Sequence, residues 1–360
     1  MKILLLSKYS RKGASTRLRS LQYLPYLESK GFQITVSSLF DDQYLDQLYR
    51  HNKRAPLRML KLYLRRLFVL LGAFRYDLIW IEKEIFPYMP AVAERLLKWL
   101  GQRYIVDYDD AIFHNYDLSR NPLLRRVLGR KIDVVMRHAT CVVAGNGYLA
   151  ARAKAAGAAR VDQVPTVVDA TRYSLGEPLL PARPVIGWIG SPSTQNYVVD
   201  IAQALTSLCQ TYQARLLLIG ASVDVATKFP GLDLEVVPWS ETTEAELIAQ
   251  LDIGIMPLPD GPWEKGKCGY KLIQYMACAV PVIASPVGVN VEIVQASRCG
   301  LLASNVAEWE AALAQLLQSP AQRHQLGIAG RQTVETTYSL QVQAPVLASI
   351  FKESIRRSGA

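Results

Sequence analysis

Two lysines at the start of a predicted helix form the clearest candidate for an anion-binding site in this 360-residue chain. Lys267 lies in a loop punctuated by glycines, and Lys271 follows four residues later, in the first turn of the helix. The two lysines, four residues apart, reinforce the backbone N–H groups of the helix start, which favour anions. The arrangement suits a diphosphate, but an ordinary loop and helix with two solvated lysines has the same pattern.

Acidic side chains and one histidine follow two predicted strands, at the edge where parallel sheets bind ligands. They are Glu82, Glu84, Asp109, Asp110 and His114. Packing rarely needs three acids within residues 107–110, so this cluster favours a functional role over a structural one. His114 could contact a sugar, although a lone histidine is more often a structural residue.

The turn after the first predicted strand is a further candidate. Gly13 lets the backbone approach a ligand closely, and Arg17 and Arg19 lie on the helix that follows. The two arginines are placed to reach either an anionic acceptor or solvent. A plain strand–helix turn is the alternative interpretation.

Two parallel sheets are needed to position these residues, and two series of short aliphatic runs predict them. The strands predicted in the first half are Lys2–Leu6, Gln33–Ser37, Leu78–Ile81, Tyr104–Asp107, Cys141–Ala144 and Val161–Val164. Those predicted in the second half are Val185–Ile189, Arg215–Ile219, Leu234–Val237, Ile253–Met256, Val280–Ala284 and Gly300–Leu302. Amphipathic stretches alternate with them, which predicts an α/β fold of two Rossmann-like domains facing a cleft.

Proline and helix patterns predict the domain boundaries. Three prolines within residues 176–184 interrupt secondary structure, so we expect a linker there between a first domain at 1–175 and a second at 185–335. Residues 336–360 contain a long amphipathic stretch, which we expect to form a helix that crosses back to the first domain.

The stretch Gln274–Val282, QYMACAVPV, resembles a known family. It closely matches the second half of the E-x7-E helix of retaining GT-B glycosyltransferases of the group 1, family-4 type, whose donors are nucleotide-sugars. Val164–Asp169 and Gly187–Gly190 resemble two other stretches of that family in the same order. The resemblance implies a donor site at 185–335, an acceptor site on the first domain and transfer with retention of configuration. It implies no cofactor, because the nucleotide-sugar is a substrate.

Departures from the family pattern decide which residues we expect to do the chemistry. The two family glutamates fall on Gly266 and Gln274, although glutamine can still bond a ribose diol. The Arg and Lys that neutralise the diphosphate in the family fall nearest Ser191 and Asn196. The sequence has no evident metal-binding cluster, so we expect a metal-independent enzyme in which lysines stabilise the leaving diphosphate.

The resulting assignments form three groups. The residues expected to be catalytic are Asp109, Lys267 and Lys271. The residues expected to bind the donor are Gly13, Gly190, Ser191, Ser193, Thr194, Trp239, Glu264, Gly269 and Gln274. The residues expected to bind the acceptor are Arg17, Arg19, Glu82, Glu84, Asp110 and His114.

The positive charge is concentrated in the first half. Residues 1–175 contain 29 Lys and Arg against 15 Asp and Glu, a net charge of +14, whereas residues 176–360 contain 12 against 16, a net charge of −4. Eight of those basic residues, and no acid, lie within 50–75, where apolar residues such as Leu60, Leu64 and Phe68 alternate with Arg58, Lys61, Arg65 and Arg66. This pattern predicts a helix lying on an anionic membrane surface, and a core helix with a basic edge is the alternative.

Several other classes are disfavoured. We expect no nucleic-acid partner, since the basic segment has no recognition motif, and the five scattered cysteines contain no CxxC pair. We expect a cytoplasmic enzyme, peripheral on the membrane, that transfers sugar to a glycan or lipid-linked acceptor in bacterial surface polysaccharide or glycolipid assembly. The alternatives are a GT-B scaffold with a decayed donor site and a GT-B nucleotide-sugar epimerase.

Overall fold

The computed structural model describes residues 1–44, 56–173 and 183–356. The chain divides into two compact units. Unit 1 comprises Met1–Thr166 and Gln343–Ala360, and unit 2 comprises Val167–Val342. Most of the predicted linker at 176–184 lies outside the described residues, so that boundary stays a prediction.

Unit 1 is built on a parallel sheet of six strands in the order β2-β1-β3-β4-β5-β6. The strands are β1 Lys2–Tyr9, β2 Gln33–Phe40, β3 Leu78–Glu82, β4 Tyr104–Tyr108, β5 Cys141–Ala144 and β6 Val161–Gln163. The helices are α1 Ala14–Arg19, α2 Leu24–Ser29, α3 Pro56–Leu71, α4 Val92–Trp99, α5 His114–Asp117, α6 Pro122–Leu128, α7 Lys131–His138 and α8 Gly147–Ala155.

Unit 2 repeats this design with the strand order β12-β11-β10-β7-β8-β9. Its strands are β7 Val185–Ile189, β8 Arg215–Ile219, β9 Leu234–Val237, β10 Ile253–Met256, β11 Val282–Ala284 and β12 Gly300–Leu302. Its helices are α9 Asn196–Val199, α10 Ala202–Tyr212, α11 Glu244–Ile248, α12 Pro262–Lys265, α13 Tyr270–Ala277, α14 Val289–Ser297, α15 Val306–Gln318, α16 Pro320–Thr333 and α17 Leu340–Arg356.

The strand order creates one switch point in each sheet, where successive connections leave in opposite directions. In unit 1 the switch lies between β1 and β3, and in unit 2 it lies between β7 and β10. Ligands of open parallel sheets bind beyond the carboxyl ends of the strands at such a point. The residues that end β1, β3, β7 and β10 are therefore candidates for ligand binding.

Helix α17 begins in unit 2, and its residues from Gln343 onward belong to unit 1. There Phe351 is fully buried, with its ring 4.9 Å from that of Trp80 and 6.0 Å from that of Phe32. These contacts bury large apolar side chains from β3, from the residue before β2 and from α17 in one core.

The sequence prediction of two parallel-sheet α/β domains is confirmed. Strand β1 is longer than predicted, because Ser7 and Tyr9 continue the ladder with Ser38 and Phe40 of β2. All five cysteines are buried, and none forms a disulfide. In the part of the chain that the structure describes, no helix is long and apolar enough to cross a bilayer.

Candidate functional site

The carboxyl edge of the unit 2 sheet is made of residues that allow close approach to the backbone. A Cβ on Gly190, which follows β7, would lie 2.2 Å from the ring of Trp188, and a Cβ on Gly220, which follows β8, would lie 2.4 Å from the carbonyl oxygen of Gly190. Trp239 follows β9, and a Cβ added at Gly220 would lie 3.0 Å from the Cβ of Trp239. The predicted donor residues Gly190 and Trp239 are therefore brought to one edge, where only small residues fit between them.

Lys271 lies at this edge with its ammonium group 4.8 Å from the ring centroid of Trp188. Among the described residues, no carboxylate forms an ion pair with it. Burial and the neighbouring charge of Lys267 lower the pKa of Lys271 to about 7. A partly buried ammonium that has a second lysine nearby and no ion-pair partner in the described residues is stabilised when an anion binds.

Gly269 fixes where helix α13 begins. Its φ is +65°, and an added Cβ would lie 2.5 Å from the Cδ1 atom of Ile293 on α14. A side chain here would be strained by the left-handed backbone and by the contact with α14. The glycine thus lets the first turn of α13, which carries Lys271, pack close to α14.

The predicted hydroxyl donors form a tight turn after β7. The residues 192–194 are a single 3-10 turn, closed by a capping box between Ser191 and Thr194. The hydroxyl groups of Ser191 and Ser193 are 2.9 Å apart. The hydroxyls of Ser191, Ser193 and Thr194 thus lie in one loop beside Gly190, but in this structure they bond mainly to one another.

Gln274, which is predicted to bond the ribose, is buried and bonded to another side chain. Its side chain is only 3 % exposed, and its amide donates to the hydroxyl of Tyr173 at 3.2 Å. Tyr173 in turn donates to Glu244 at 2.9 Å, and the same carboxylate accepts from the indole N–H of Trp239 at 2.8 Å. This hydrogen-bond network orients Trp239, which is 37 % exposed. Gln274 lies at the buried end of the network.

Glu264, the other candidate for the missing family carboxylates, lies on the short helix α12. It accepts a hydrogen bond from the hydroxyl of Tyr197 at 2.7 Å. This bond ties α12 to α9, so Glu264 contributes to packing the loop that leads to Lys267.

The carboxyl edge of the unit 1 sheet contains a compact group of charges. The ammonium of Lys83 is 2.8 Å from the carboxylate of Asp109 and 3.2 Å from that of Asp110, and it donates to Ser15 at 3.0 Å. Burial alone would raise the pKa of Asp109, but Lys83 holds it below the usual range. Asp109 is therefore a carboxylate at neutral pH, as a group that orients hydroxyls requires. Lys83 also has a φ of +67°, an uncommon conformation for a residue other than glycine.

Glu82 and Lys8 lie at the switch point of this sheet. Glu82 accepts from the hydroxyl of Thr16 at 2.6 Å and from the backbone N–H of Lys8 at 3.1 Å, and its second carboxylate oxygen is buried without a protein partner. Burial raises the pKa of Glu82. Lys8 was not among the predicted site residues, although it follows the apolar run of β1 and the strand-edge rule could have identified it.

Burial and the nearby Lys83 lower the pKa of Lys8, against the opposing effect of Glu84 and Glu82. Within residues 1–44, 56–173 and 183–356, no carboxylate lies close enough to the Lys8 ammonium to form an ion pair. Like Lys271 in unit 2, Lys8 is a cation at a switch point that lacks a counter-charge.

Three predicted acceptor residues are instead held in structural contacts. Arg19 is buried and bonds both oxygens of Asp107, at 2.8 and 3.2 Å, and the carbonyl of Val164. Glu84 is buried against the ammonium of Lys131 and the hydroxyl of Tyr116. His114 bonds Asp117 and Tyr148 through its two ring nitrogens, each at 2.8 Å. These side chains have their polar groups occupied, so the prediction that they contact acceptor is not supported.

The remaining residues predicted at the turn into α1 are Gly13 and Arg17, and the structure places both there. Gly13 caps α1, and a Cβ there would lie 2.5 Å from the Cβ of Tyr9. Arg17 is mostly buried and donates to the carbonyl of Arg11 at 3.4 Å. The need for glycine is thus explained by packing against β1.

The sequence predicts that the basic residues of α3 share a polar face, but the structure buries one of them. Arg66, expected on a polar face, is 1 % exposed and donates to the carbonyls of Ser7 and Ser37, while two of its guanidinium nitrogens have no protein partner. The opposite face of the helix exposes an apolar stripe, which consists of Leu57, Leu60, Leu64, Leu67, Phe68 and Leu71. Lys61 and Arg65 adjoin this stripe. Residues 50–55 of the predicted membrane segment lie outside the described residues.

The Lys271 ammonium at the unit 2 edge has the charge that an anionic ligand requires, and the carboxylates at the unit 1 edge are hydrogen-bond acceptors. In the described ranges, no group of three or more His, Cys, Asp and Glu side chains is arranged to hold a metal ion.

Comparisons with known proteins give a family match for part of the chain and similar folds for nearly all of it. Residues 183–319 match the family model described as glycosyl transferases group 1. Sucrose-phosphate synthase from Thermosynechococcus elongatus has a TM-score of 0.71 at 15 % identity, over 98 % of both chains. Anabaena HepE in complex with UDP-glucose has a TM-score of 0.74 at 16 % identity, over 98 % of this chain and 100 % of that one.

WaaG, a glycosyltransferase involved in lipopolysaccharide biosynthesis, has a TM-score of 0.68 at 12 % identity, over 97 % of this chain and 99 % of that one. At such identities the likeness establishes the fold. No curated protein matches the sequence significantly. The predicted resemblance to the group 1 glycosyltransferases and to their two-domain GT-B fold is confirmed.

Proposed function

Because residues 183–319 match the family model of the group 1 glycosyltransferases, we propose that this protein transfers a sugar from a nucleoside diphosphate to an acceptor hydroxyl, with retention of configuration and without a metal ion. The observation that carries the proposal is the ammonium of Lys271, which lies over Trp188 at the switch point of unit 2 and lacks an ion-pair partner among the described residues. An ammonium group in this position stabilises the negative charge that develops on a departing diphosphate.

The proposed reaction needs no nucleophile from the enzyme. The bond between the anomeric carbon and the β-phosphate oxygen breaks, and the acceptor oxygen bonds to the same face of that carbon. The acceptor proton passes to the departing phosphate oxygen. Lys267 and Lys271 stabilise the diphosphate, and Asp109, held as a carboxylate by Lys83, orients hydroxyl groups.

Trp239 is the side chain best placed to contact the nucleobase. Its ring is held by Glu244 at the end of β9 and is partly exposed, and an aromatic ring of this kind can stack on any base. A solved neighbour of the same fold is described as a complex with UDP-glucose. A uridine diphosphate sugar is therefore the first donor to test.

Titration calorimetry with UDP, GDP, ADP and TDP tests the donor site before any acceptor is known. We expect one nucleotide to bind and the variant Lys267→Ala/Lys271→Ala to bind it at least about tenfold more weakly. Lys265→Ala is the matched control, because the Lys265 ammonium already pairs with Asp260 at 3.0 Å. Absence of binding by all four nucleotides would favour a scaffold with a decayed donor site, and conversion of the donor without an acceptor would favour an epimerase.

We further propose that the apolar stripe of α3 lies on an anionic membrane surface. The stripe is exposed, and Lys61 and Arg65 adjoin it, as in interfacial helices. Flotation with anionic liposomes should be lost in Leu57→Gln/Phe68→Gln/Leu71→Gln. Val223→Gln, an equally conservative change at an exposed apolar residue of unit 2, should float as the original protein does. Unchanged flotation of the triple variant would reject the membrane assignment.

A further inference from the structure

A second apolar feature of unit 1 lies on the side of α3 next to the strand edge. It is a groove of about 490 Å³ between α3 and the loop 86–89 that follows the charged end of β3. The α3 side is formed by residues such as Met59, Tyr63 and Leu67, and the loop contributes Phe86, Pro87 and Met89. This volume lies within the roughly 300–1,000 Å³ of ordinary small-molecule sites.

The groove is a built feature with a fixed wall. The hydroxyl of Tyr63 donates to the carbonyl of Pro87 at 2.8 Å, and the rings of Tyr63 and Phe86 are 5.4 Å apart. On the other side of the loop, the backbone N–H of Tyr88 donates to the hydroxyl of Tyr116 at 3.1 Å. The loop is therefore held in place from both sides, and the groove between it and α3 remains open.

The groove connects two features already described. On its outer side it shares Leu60, Leu64 and Leu67 with the apolar stripe of α3. On its inner side, Met59 and Tyr63 pack in the same apolar cluster as Tyr9. The ammonium of Lys8 lies 5.4 Å from the centroid of the Tyr9 ring. Lys8 also interacts electrostatically with Tyr88, which lines the groove, so a residue of the groove wall lies close to this cation.

We propose that this groove binds the hydrocarbon chain of the acceptor, a phosphate-bearing lipid whose phosphate is recognised by Lys8. The inference rests on the proposed glycosyltransferase function and adds the chemical class of the acceptor. Charge complementarity favours this occupant, since the groove is almost wholly apolar and Lys8, a cation without an ion-pair partner in the described residues, lies near Tyr88 of its wall. A molecule with one long apolar chain and one anionic head matches both features.

The lowered pKa of Lys8 agrees with this placement, and the groups that face the lysine are Lys83, Glu82, Glu84 and Tyr88. The two glutamates partly offset the effect of burial, and Lys83 adds to it. A bound phosphate would supply the negative charge that this cation lacks.

Farnesyl phosphate, kept below its micellar concentration, is the probe for the groove, with farnesol and inorganic phosphate as its two halves. We expect farnesyl phosphate to bind more tightly than either half. Leu67→Gln should weaken it about tenfold. Leu96→Gln, on α4, is the matched control. Leu67 and Leu96 have exposed fractions of 49 % and 50 %, but only Leu67 lines the groove. The control should therefore change farnesyl phosphate binding by less than about threefold.

Lys8→Gln separates recognition of the phosphate from recognition of the chain. It should weaken farnesyl phosphate about tenfold and leave farnesol unchanged. Equal effects of Leu67→Gln and Leu96→Gln, or binding of farnesyl phosphate no tighter than farnesol, would overturn the proposal. Dissociation of a dimer by Leu67→Gln, measured by light scattering, would instead assign the groove to a second copy of the chain.

Titration of the same variants with UDP distinguishes the two proposals. Normal UDP binding without farnesyl phosphate binding would reject the lipid groove and leave the glycosyltransferase proposal intact. Absence of UDP binding would reject the donor site, whatever the lipid result.

Discussion

The pKa of Lys271 makes donor binding dependent on pH in a direction that can be calculated. The free protein holds this pKa near 7, well below the value of an ordinary lysine. A bound diphosphate stabilises the charged ammonium and raises the pKa, so binding takes up a proton wherever the free lysine is neutral. At pH 8 about 90 % of a group with a pKa of 7 is deprotonated, which predicts an uptake of about 0.9 protons for each UDP bound.

The same pKa also gives the expected loss of affinity for UDP at high pH. If the complex keeps Lys271 charged, the UDP dissociation constant should increase about 50-fold between pH 7 and pH 9. The second ionisation of a phosphate lies near pH 6, so the ligand itself contributes little in this range. Below pH 7 the effect of the lysine is nearly complete and the affinity should level off.

Titration calorimetry at pH 8 in HEPES and in Tris measures the proton uptake, since the two buffers differ in ionisation enthalpy. Lys271→Met should bind UDP more weakly and with no proton uptake. Lys265→Met should retain the uptake, because its ammonium pairs with Asp260 outside the proposed site. Equal observed enthalpies in the two buffers for the unmodified protein, or persistent uptake in Lys271→Met, would refute the assignment of Lys271 to the diphosphate.

Three further changes test other parts of the structure, and one test concerns the metal. Trp239→Ala should weaken UDP binding about tenfold through loss of stacking while Trp239→Phe retains most of it, measured by calorimetry; equal affinity of both variants would remove Trp239 from the site. Arg19→Ala leaves Asp107 buried without its partner and should lower the free energy of unfolding by about 3–5 kcal/mol, measured by urea denaturation; a loss below 1 kcal/mol would contradict the structural role. Gly269→Ala should destabilise the protein by about 1–2 kcal/mol because of its positive φ, in the same assay, and an unchanged midpoint would argue against that backbone conformation. Donor turnover should be unaffected by EDTA, and a loss that Mg²⁺ restores would disprove metal independence.

The candidate residues differ in how far the sequence could point to them. Lys267 and Lys271 are candidates because four-residue spacing at a helix start is a local property of the sequence. The strand-edge rule could have pointed to Lys8, but that β1 lies beside β3 at the switch point follows only from the strand order. Gln274 was assigned to the ribose from a motif, yet its amide contacts Tyr173, a residue about a hundred positions earlier in the chain.

The two parallel sheets, nearly all the strand bounds of unit 2 and the amphipathic character of α3 could be predicted from the amino-acid sequence. Apolar runs, glycines and prolines act within a few residues of their own position, so these features can be predicted locally. Which charges have partners depends on the packing of the folded chain. Arg19 pairs with Asp107 and Arg66 lies beneath the stripe, whereas Lys8 and Lys271 lack such a partner among the described residues. Ion pairing and burial depend on groups that distant strands bring together, and for that reason the sequence pattern could not separate structural charges from those available to a ligand.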